Sequence, residues 1–104
     1  MAETLNKSKI LLLLADHSHQ LTGFGVISIG LFGSFTTGKD QENSDVDLLV
    51  DIRKDRKTFK NFMALAYYLE DLLGKKVDLI TQQSLSPYIG PHILKNVTYA
   101  AIAG

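Results

Sequence analysis

The sequence predicts a single α+β domain spanning residues 1–104, with a small mixed β-sheet flanked by helices. Three observations carry that expectation. Three short apolar, β-branched runs begin at Val26, Val46 and Val77; stretches of helical periodicity precede, separate and follow them; and no repeat, low-complexity tract or linker interrupts the chain. A chain of 104 residues, 45% hydrophobic and 21% charged, suits one compact core and leaves no room for a second catalytic domain. Cysteine is absent, which excludes a disulfide framework, thiol catalysis and zinc sites with sulfur ligands. Eleven basic and eleven acidic residues cancel, so the cationic surface that grips nucleic acid through its phosphates is missing and no direct nucleic-acid binding is expected. The longest apolar run, Ile10 to Ala15, is too short for a signal core or a membrane span, so a cytoplasmic protein with no membrane partner is expected.

The first expected element is a helix from about Thr4 to Gln20, with Leu5, Leu12 and the Ile10 to Leu14 cluster on its apolar face. Val26 to Phe32 is short, apolar and β-branched enough for a buried strand, which stops at Gly33. Residues Ser34 to Ser44 have the composition of a loop. In the strand Val46 to Ile52, the side chains of Val46, Leu48, Val50 and Ile52 share one face, and Asp45, Asp47, Leu49 and Asp51 share the other. Between Lys57 and Leu73, Phe59, Phe62, Met63, Ala66, Leu69 and Leu73 recur at helical spacing, and Gly74 stands where a left-handed cap is expected. Lys76 to Thr81 is a third strand carrying Asp78. Pro91 opens a last short helix through about Asn96, and Val97 to Ile102 is either an edge strand or a docked tail.

Charge is unevenly spread along this order. Asp40, Glu42, Asp45, Asp47 and Asp51 fall together with no Lys or Arg among them, and Arg53, Lys54, Arg56, Lys57 and Lys60 follow at once. A basic run at a helix start is ordinary solvated surface. Converging carboxylates are different: they repel and raise one another's pKa, so a fold keeps them together chiefly where a cation or a proton transfer uses them.

Two phosphate-binding motifs are mimicked and fail. Gly33, Gly38 and Lys39 match a Walker A loop, but Asp40 stands where the Mg2+-holding Ser or Thr belongs and no helix has room to start before Val46. Gly23-Phe24-Gly25 precedes a strand instead of following one, so it is no dinucleotide fingerprint. His17, His19 and His92 do not have metal-site spacing and are expected on the surface. What survives is Gly33-Ser34, ten intervening residues, Asp45-Val46-Asp47, and then Asp78. Two Asp at i and i+2 of a strand point the same way, roughly 7 Å apart at the backbone, and can share divalent cations bound through oxygen. A third Asp on a neighbouring strand completes such a site, and Gly-Ser at a strand end lets backbone and hydroxyl approach a polyphosphate. Each piece alone has a plain structural explanation: a turn at Gly33-Ser34, a cap where Ser44 meets the strand, an edge charge at Asp78. Their joint spacing favours metal-assisted nucleotidyl transfer.

The segment GLFGSFTTGKDQENSDVDLLV, followed by a helix and GKKVDLI, resembles the minimal nucleotidyltransferases (MNT) of the DNA polymerase β superfamily over about residues 8 to 95. The resemblance implies the nucleotidyltransferase, polymerase β-like palm fold. It implies nucleotide binding by Gly33, Ser34, Gly38 and Ser44, and metal binding and catalysis by Asp45, Asp47 and Asp78, with two Mg2+ ions and ATP as substrate. Members often carry Arg just before the second glycine, where this chain has Thr37 with Lys39 beyond it, a departure that bears on phosphate neutralisation. Small members pair with HEPN-domain ribonuclease toxins, so the resemblance implies an antitoxin that transfers AMP from ATP to a tyrosine hydroxyl of such a partner. A non-catalytic binding antitoxin, and a transferase acting on a small molecule with help from a second chain, are the alternatives. The residues leave the nucleotide, the acceptor and the oligomeric state open.

Overall fold

The computed structural model describes residues 5–37, 44–88 and 90–102. Helices α1 (Lys7–Asp16) and α2 (Ser18–Gly23) lead into strand β1 (Val26–Phe32), a single helical turn α3 (Ser34–Thr37) and strand β2 (Val46–Ile52). Helix α4 (Phe59–Leu73), strand β3 (Val77–Thr81), helix α5 (Gly90–Asn96) and strand β4 (Thr98–Tyr99) complete the order, with short 3-10 turns at Lys54–Arg56 and Gln82–Ser84. The sheet order is β3-β2-β1-β4. β1 runs antiparallel to β2 and β4, while β2 and β3 are parallel, with α4 as the crossover between them. The expected small mixed sheet with flanking helices is therefore observed.

Alternation along the strands divides the sheet into two faces. Ile29, Leu31, Val46, Leu48, Val50, Ile52 and Val77 form one core cluster with Ile10 and Leu14 of α1, Leu21 of α2, and Leu65, Leu69 and Leu73 of α4. On the opposite face of β2 lie Asp47, Leu49 and Asp51, paired across β1 with Phe32, Gly30 and Ser28. Leu49 is fully buried yet stands outside the main cluster.

Three expectations are corrected. The first helix is two helices that meet at His17, whose backbone N–H and ring Nδ1 both donate to the Leu13 carbonyl, at 3.1 and 2.9 Å. With φ −106° and ψ 22°, His17 leaves the helical path there. Its buried face is the i, i+4 pair Ile10 and Leu14, while Leu12 is 62% exposed. The loop expected from Ser34 opens instead with the turn α3, because Phe35 is buried in the core and Lys75 Nζ lies 5.9 Å over its ring. Helix α4 starts at Phe59, not Lys57: Thr58 is its N-cap, accepting from Asn61 N–H at 3.1 Å. Phe59 is then 80% exposed, and Leu65 holds the core position at that end. Gly74 ends the helix with φ +69°, as expected of a left-handed cap. The tail combines both alternatives, since Thr98–Tyr99 pair with β1 while Ala100 and Ile102 pack against the core.

Candidate active site

Asp47 is positioned by three strands at once. It sits near the start of β2, paired with Phe32 of β1 on one side and in parallel register with Asp78 of β3 on the other. Neighbouring strands lie roughly 4.8 Å apart, so the two carboxylates leave the same sheet face side by side. Two bonds fix this register: Val46 N–H donates to the Lys76 carbonyl at 2.9 Å, and the Val77 N–H donates to Oε2 of Glu70 at 3.1 Å. Glu70 belongs to α4, so the crossover helix itself sets where Asp78 arrives. Asp78 and Asp45 are exposed, and Asp47 is part-buried.

The end of β1 closes onto the same carboxylate. Gly33 has φ +80°, and a Cβ there would run into the Asp47 carboxylate and stand 3.0 Å from its Cγ. Only glycine allows both this backbone conformation and this approach. The turn is then latched: the Thr36 N–H and Oγ1 both donate to the Gly33 carbonyl, at 3.1 and 2.7 Å, while Phe35 anchors it to the core. Ser34 is half-buried at the first position of α3, and Ser44 is half-buried just before β2. Gly38, the remaining expected nucleotide ligand, lies outside the described residues, as does Lys39.

Asp47 is pushed up from 3.8 to about 6, first by burial and then by the negative charges of Asp78 and Asp45. Asp47 thus feels both of the other carboxylates. Among the described residues no three His, Asp or Glu side chains already stand as a closed metal cluster. The donor chemistry nevertheless fits a hard divalent cation: oxygen ligands only, a part-buried carboxylate at Asp47, and open access from solvent at Asp45 and Asp78. The structure brings Gly33 against Asp47, a contact that the sequence reading did not specify. Phe35 and Thr36, which hold the turn rigid, were not singled out from the sequence; one buried aromatic in a polar stretch was the signal. Of the histidines, His17 closes α1 and His19 is exposed, whereas His92 lines a cavity beside Gly33.

Known proteins share this fold. The nucleotidyltransferase domain family matches residues 14–102. A protein adenylyltransferase, MntA, from Thermococcus cleftensis is 43% identical over 88 residues, which span 84% of this chain and 88% of that one. A structure provisionally described as a minimal nucleotidyltransferase superposes with a TM-score of 0.77 at 28% identity, covering 93% of this chain and 98% of the other. A toxin–antitoxin structure containing AMP-PNP superposes with a TM-score of 0.66 at 28% identity, over 95% of this chain and 75% of the other. With the family's domain over most of its length and a glycine turn closed onto an in-register pair of aspartates, this chain belongs to the minimal nucleotidyltransferases of the nucleotidyltransferase domain family.

Proposed function

We propose that this chain transfers AMP from ATP to a tyrosine hydroxyl of a HEPN-domain toxin and so acts as its antitoxin. The observation that carries the chemistry is the juxtaposition of Asp47 with Asp78 beneath the Gly33 turn. The choice of acceptor is supported by the names of the relatives: a protein adenylyltransferase at 43% identity, and a toxin–antitoxin structure with a bound ATP analogue.

In this reading Gly33 and Ser34 approach the triphosphate, with Gly38 and Ser44 as further contacts, and Asp45, Asp47 and Asp78 hold Mg2+, two ions in all. When bound, Mg2+ supplies the positive charge that offsets the phosphates and withdraws electron density from the phosphorus under attack. Asp78, more exposed than Asp47, takes the proton of the attacking hydroxyl in this reading. The tyrosine oxygen bonds to the α-phosphorus, the bond to the bridging oxygen breaks, and pyrophosphate leaves with its electron pair. The rigid Gly33 turn keeps the donor in place during that exchange.

The test is incubation with labelled ATP, Mg2+ and a co-purified HEPN partner, followed by intact mass. A partner heavier by one or more AMP units, with the gain lost in Asp47→Asn, is the expected result. An unmodified partner that is still bound and inhibited would establish a binding antitoxin instead.

A further inference from the structure

Beside the carboxylates, the same sheet face carries a row of apolar groups. Asp47 and Asp78 are in register on β2 and β3, and two residues further along these strands Leu49 is in register with Ile80. Gly30 of β1 continues the row, paired with Leu49 on one side and with Tyr99 of β4 on the other. Two residues of strand advance roughly 7 Å, so the apolar row adjoins the carboxylate row.

Tyr99 lies across this row. A Cβ at Gly30 would stand 3.0 Å from Tyr99 Cδ1, so the ring rests where glycine leaves the sheet bare. At its far end the hydroxyl accepts a long hydrogen bond, 3.4 Å, from Nε2 of Gln82, the residue that follows β3. One phenol and one amide thus join the two edge strands of the sheet, about 14 Å apart at the usual strand spacing. Leu49, which stands in this row and outside the helix-side cluster, is fully buried. Tyr99 itself remains 45% exposed. An aromatic ring fixed at both ends and left open to solvent is a platform that the core does not use.

We propose that Tyr99 and Ile80 form the subsite for the aromatic ring of the acceptor tyrosine. The inference rests on the transfer reading above and deepens it, naming what selects the acceptor. Asp78 lies on β3, the outer strand on that side, and Ile80 and Gln82 are the next residues on its face. An acceptor that brings its hydroxyl to Asp78 from the β3 side passes over them. A phenol carries its hydroxyl on a rigid stem, so a ring laid against Ile80 and Tyr99 directs that hydroxyl along the row toward Asp78. Aromatic pairs gain energy in offset or edge-to-face contact beyond the area they bury. Serine and threonine hydroxyls stand on short stems and gain nothing from such a floor. The Tyr99 hydroxyl is engaged by Gln82, which holds it away from the carboxylates as part of the platform.

The test begins with peptide mapping of the co-purified partner after transfer, which identifies the modified tyrosine. Calorimetric affinities then form a double-mutant cycle between Tyr99→Leu, which keeps apolar area and removes the ring, and alanine at that tyrosine of the partner. A coupling of roughly 2- to 12-fold in Kd is expected, the range of one aromatic pair. Tyr99→Phe keeps the ring and should retain the coupling. In steady-state transfer, Tyr99→Leu should raise KM for the partner while the affinity for AMP-PNP stays at the wild-type value. Absence of coupling, or a loss of AMP-PNP affinity that matches the loss for the partner, would overturn the assignment while AMP transfer itself still stood. A partner that the wild type leaves unmodified would overturn the transfer reading and this inference with it.

Discussion

Asp47 carries a charge where its surroundings resist one. Burial, then Asp78, then Asp45 raise its pKa from 3.8 to about 6. A carboxyl that holds its proton more tightly when folded contributes stability that is fully present below about pH 4 and is lost as pH rises to 6 and beyond. Because the group is only part-buried and solvent screens it, the loss amounts to on the order of 1 kcal/mol. Asp47→Asn should therefore be more stable than the wild type at pH 7 in metal-free buffer, and its stability should be flatter between pH 4 and 6. Urea unfolding at several pH values measures both, and a variant that is less stable at pH 7 would mean the carboxylate is held by favourable partners. Asp78→Asn addresses the chemical step: transfer should fall by about 10²–10⁴-fold while ATP affinity is largely kept, as read from single-turnover rates beside calorimetric binding. Equal losses in both would make Asp78 a metal ligand only, with no part in taking the proton. That these carboxylates share a face was legible from the i, i+2 spacing and strand alternation. Their strain was not, because it depends on β3 arriving in parallel register, and that register is set by Glu70 and Lys76 far along the chain.

At the scale of elements, β1 and β2 were legible to the residue because β1 is a mostly apolar run between Gly25 and Gly33, and β2 keeps Val46, Leu48, Val50 and Ile52 at strict alternation up to Arg53. Helix α4 was legible in its Gly74 end and less so in its start, where Thr58 competes with a run of helix-forming Lys and Arg for the cap. The turn α3 and the break at His17 were not legible, since each depends on one tertiary contact or one shared carbonyl. The basic segment that follows β2 has a structural account at Asn61, the first-turn residue of α4. Its Nδ2 donates to the Phe24 and Arg56 carbonyls at 2.7 and 2.9 Å, and its Oδ1 accepts from Arg56 at 3.2 Å. One side chain thus ties α4 to both the connection before β1 and the 3-10 turn after β2. Asn61→Ala removes the donor to the Phe24 carbonyl, while the Arg56 carbonyl keeps the Thr58 N–H at 3.0 Å, and should cost about 1–3 kcal/mol, measured as a lower urea midpoint. Nucleotide affinity should not change, because this knot lies at the Ile52 end of β2, opposite Asp47. A weakened affinity at unchanged fold would show that the two ends of the sheet are coupled.

For the molecule as a whole, one sheet serves two purposes on its two faces, and β2 shows this in adjacent residues. Leu48 and Leu49 are both fully buried. Leu48 packs in the cluster with α1, α2 and α4; Leu49 lies on the face of Asp47, beside Gly30, against which Tyr99 is laid, and beside Ile80. Truncating either to Ala removes the same atoms from water-free packing and should cost about 2–5 kcal/mol. Their responses to ligand should differ. A ligand that binds only the folded state adds stability by mass action, about 2.7 kcal/mol at a hundredfold excess over Kd. A cavity under Leu48 faces the helices, so Mg·ATP should stabilise Leu48→Ala as much as the wild type. A cavity under Leu49 lets the floor beside Asp47 shift, and a displacement of about 1 Å at such a site can cost 10²-fold, so the ligand-induced gain in Leu49→Ala should largely vanish. Thermal melts of the three proteins with and without Mg·ATP compare the gains directly. Equal gains in the two variants would mean the acid face does not depend on the packing beneath it, and that the nucleotide is held by the Gly33 turn and its surroundings instead.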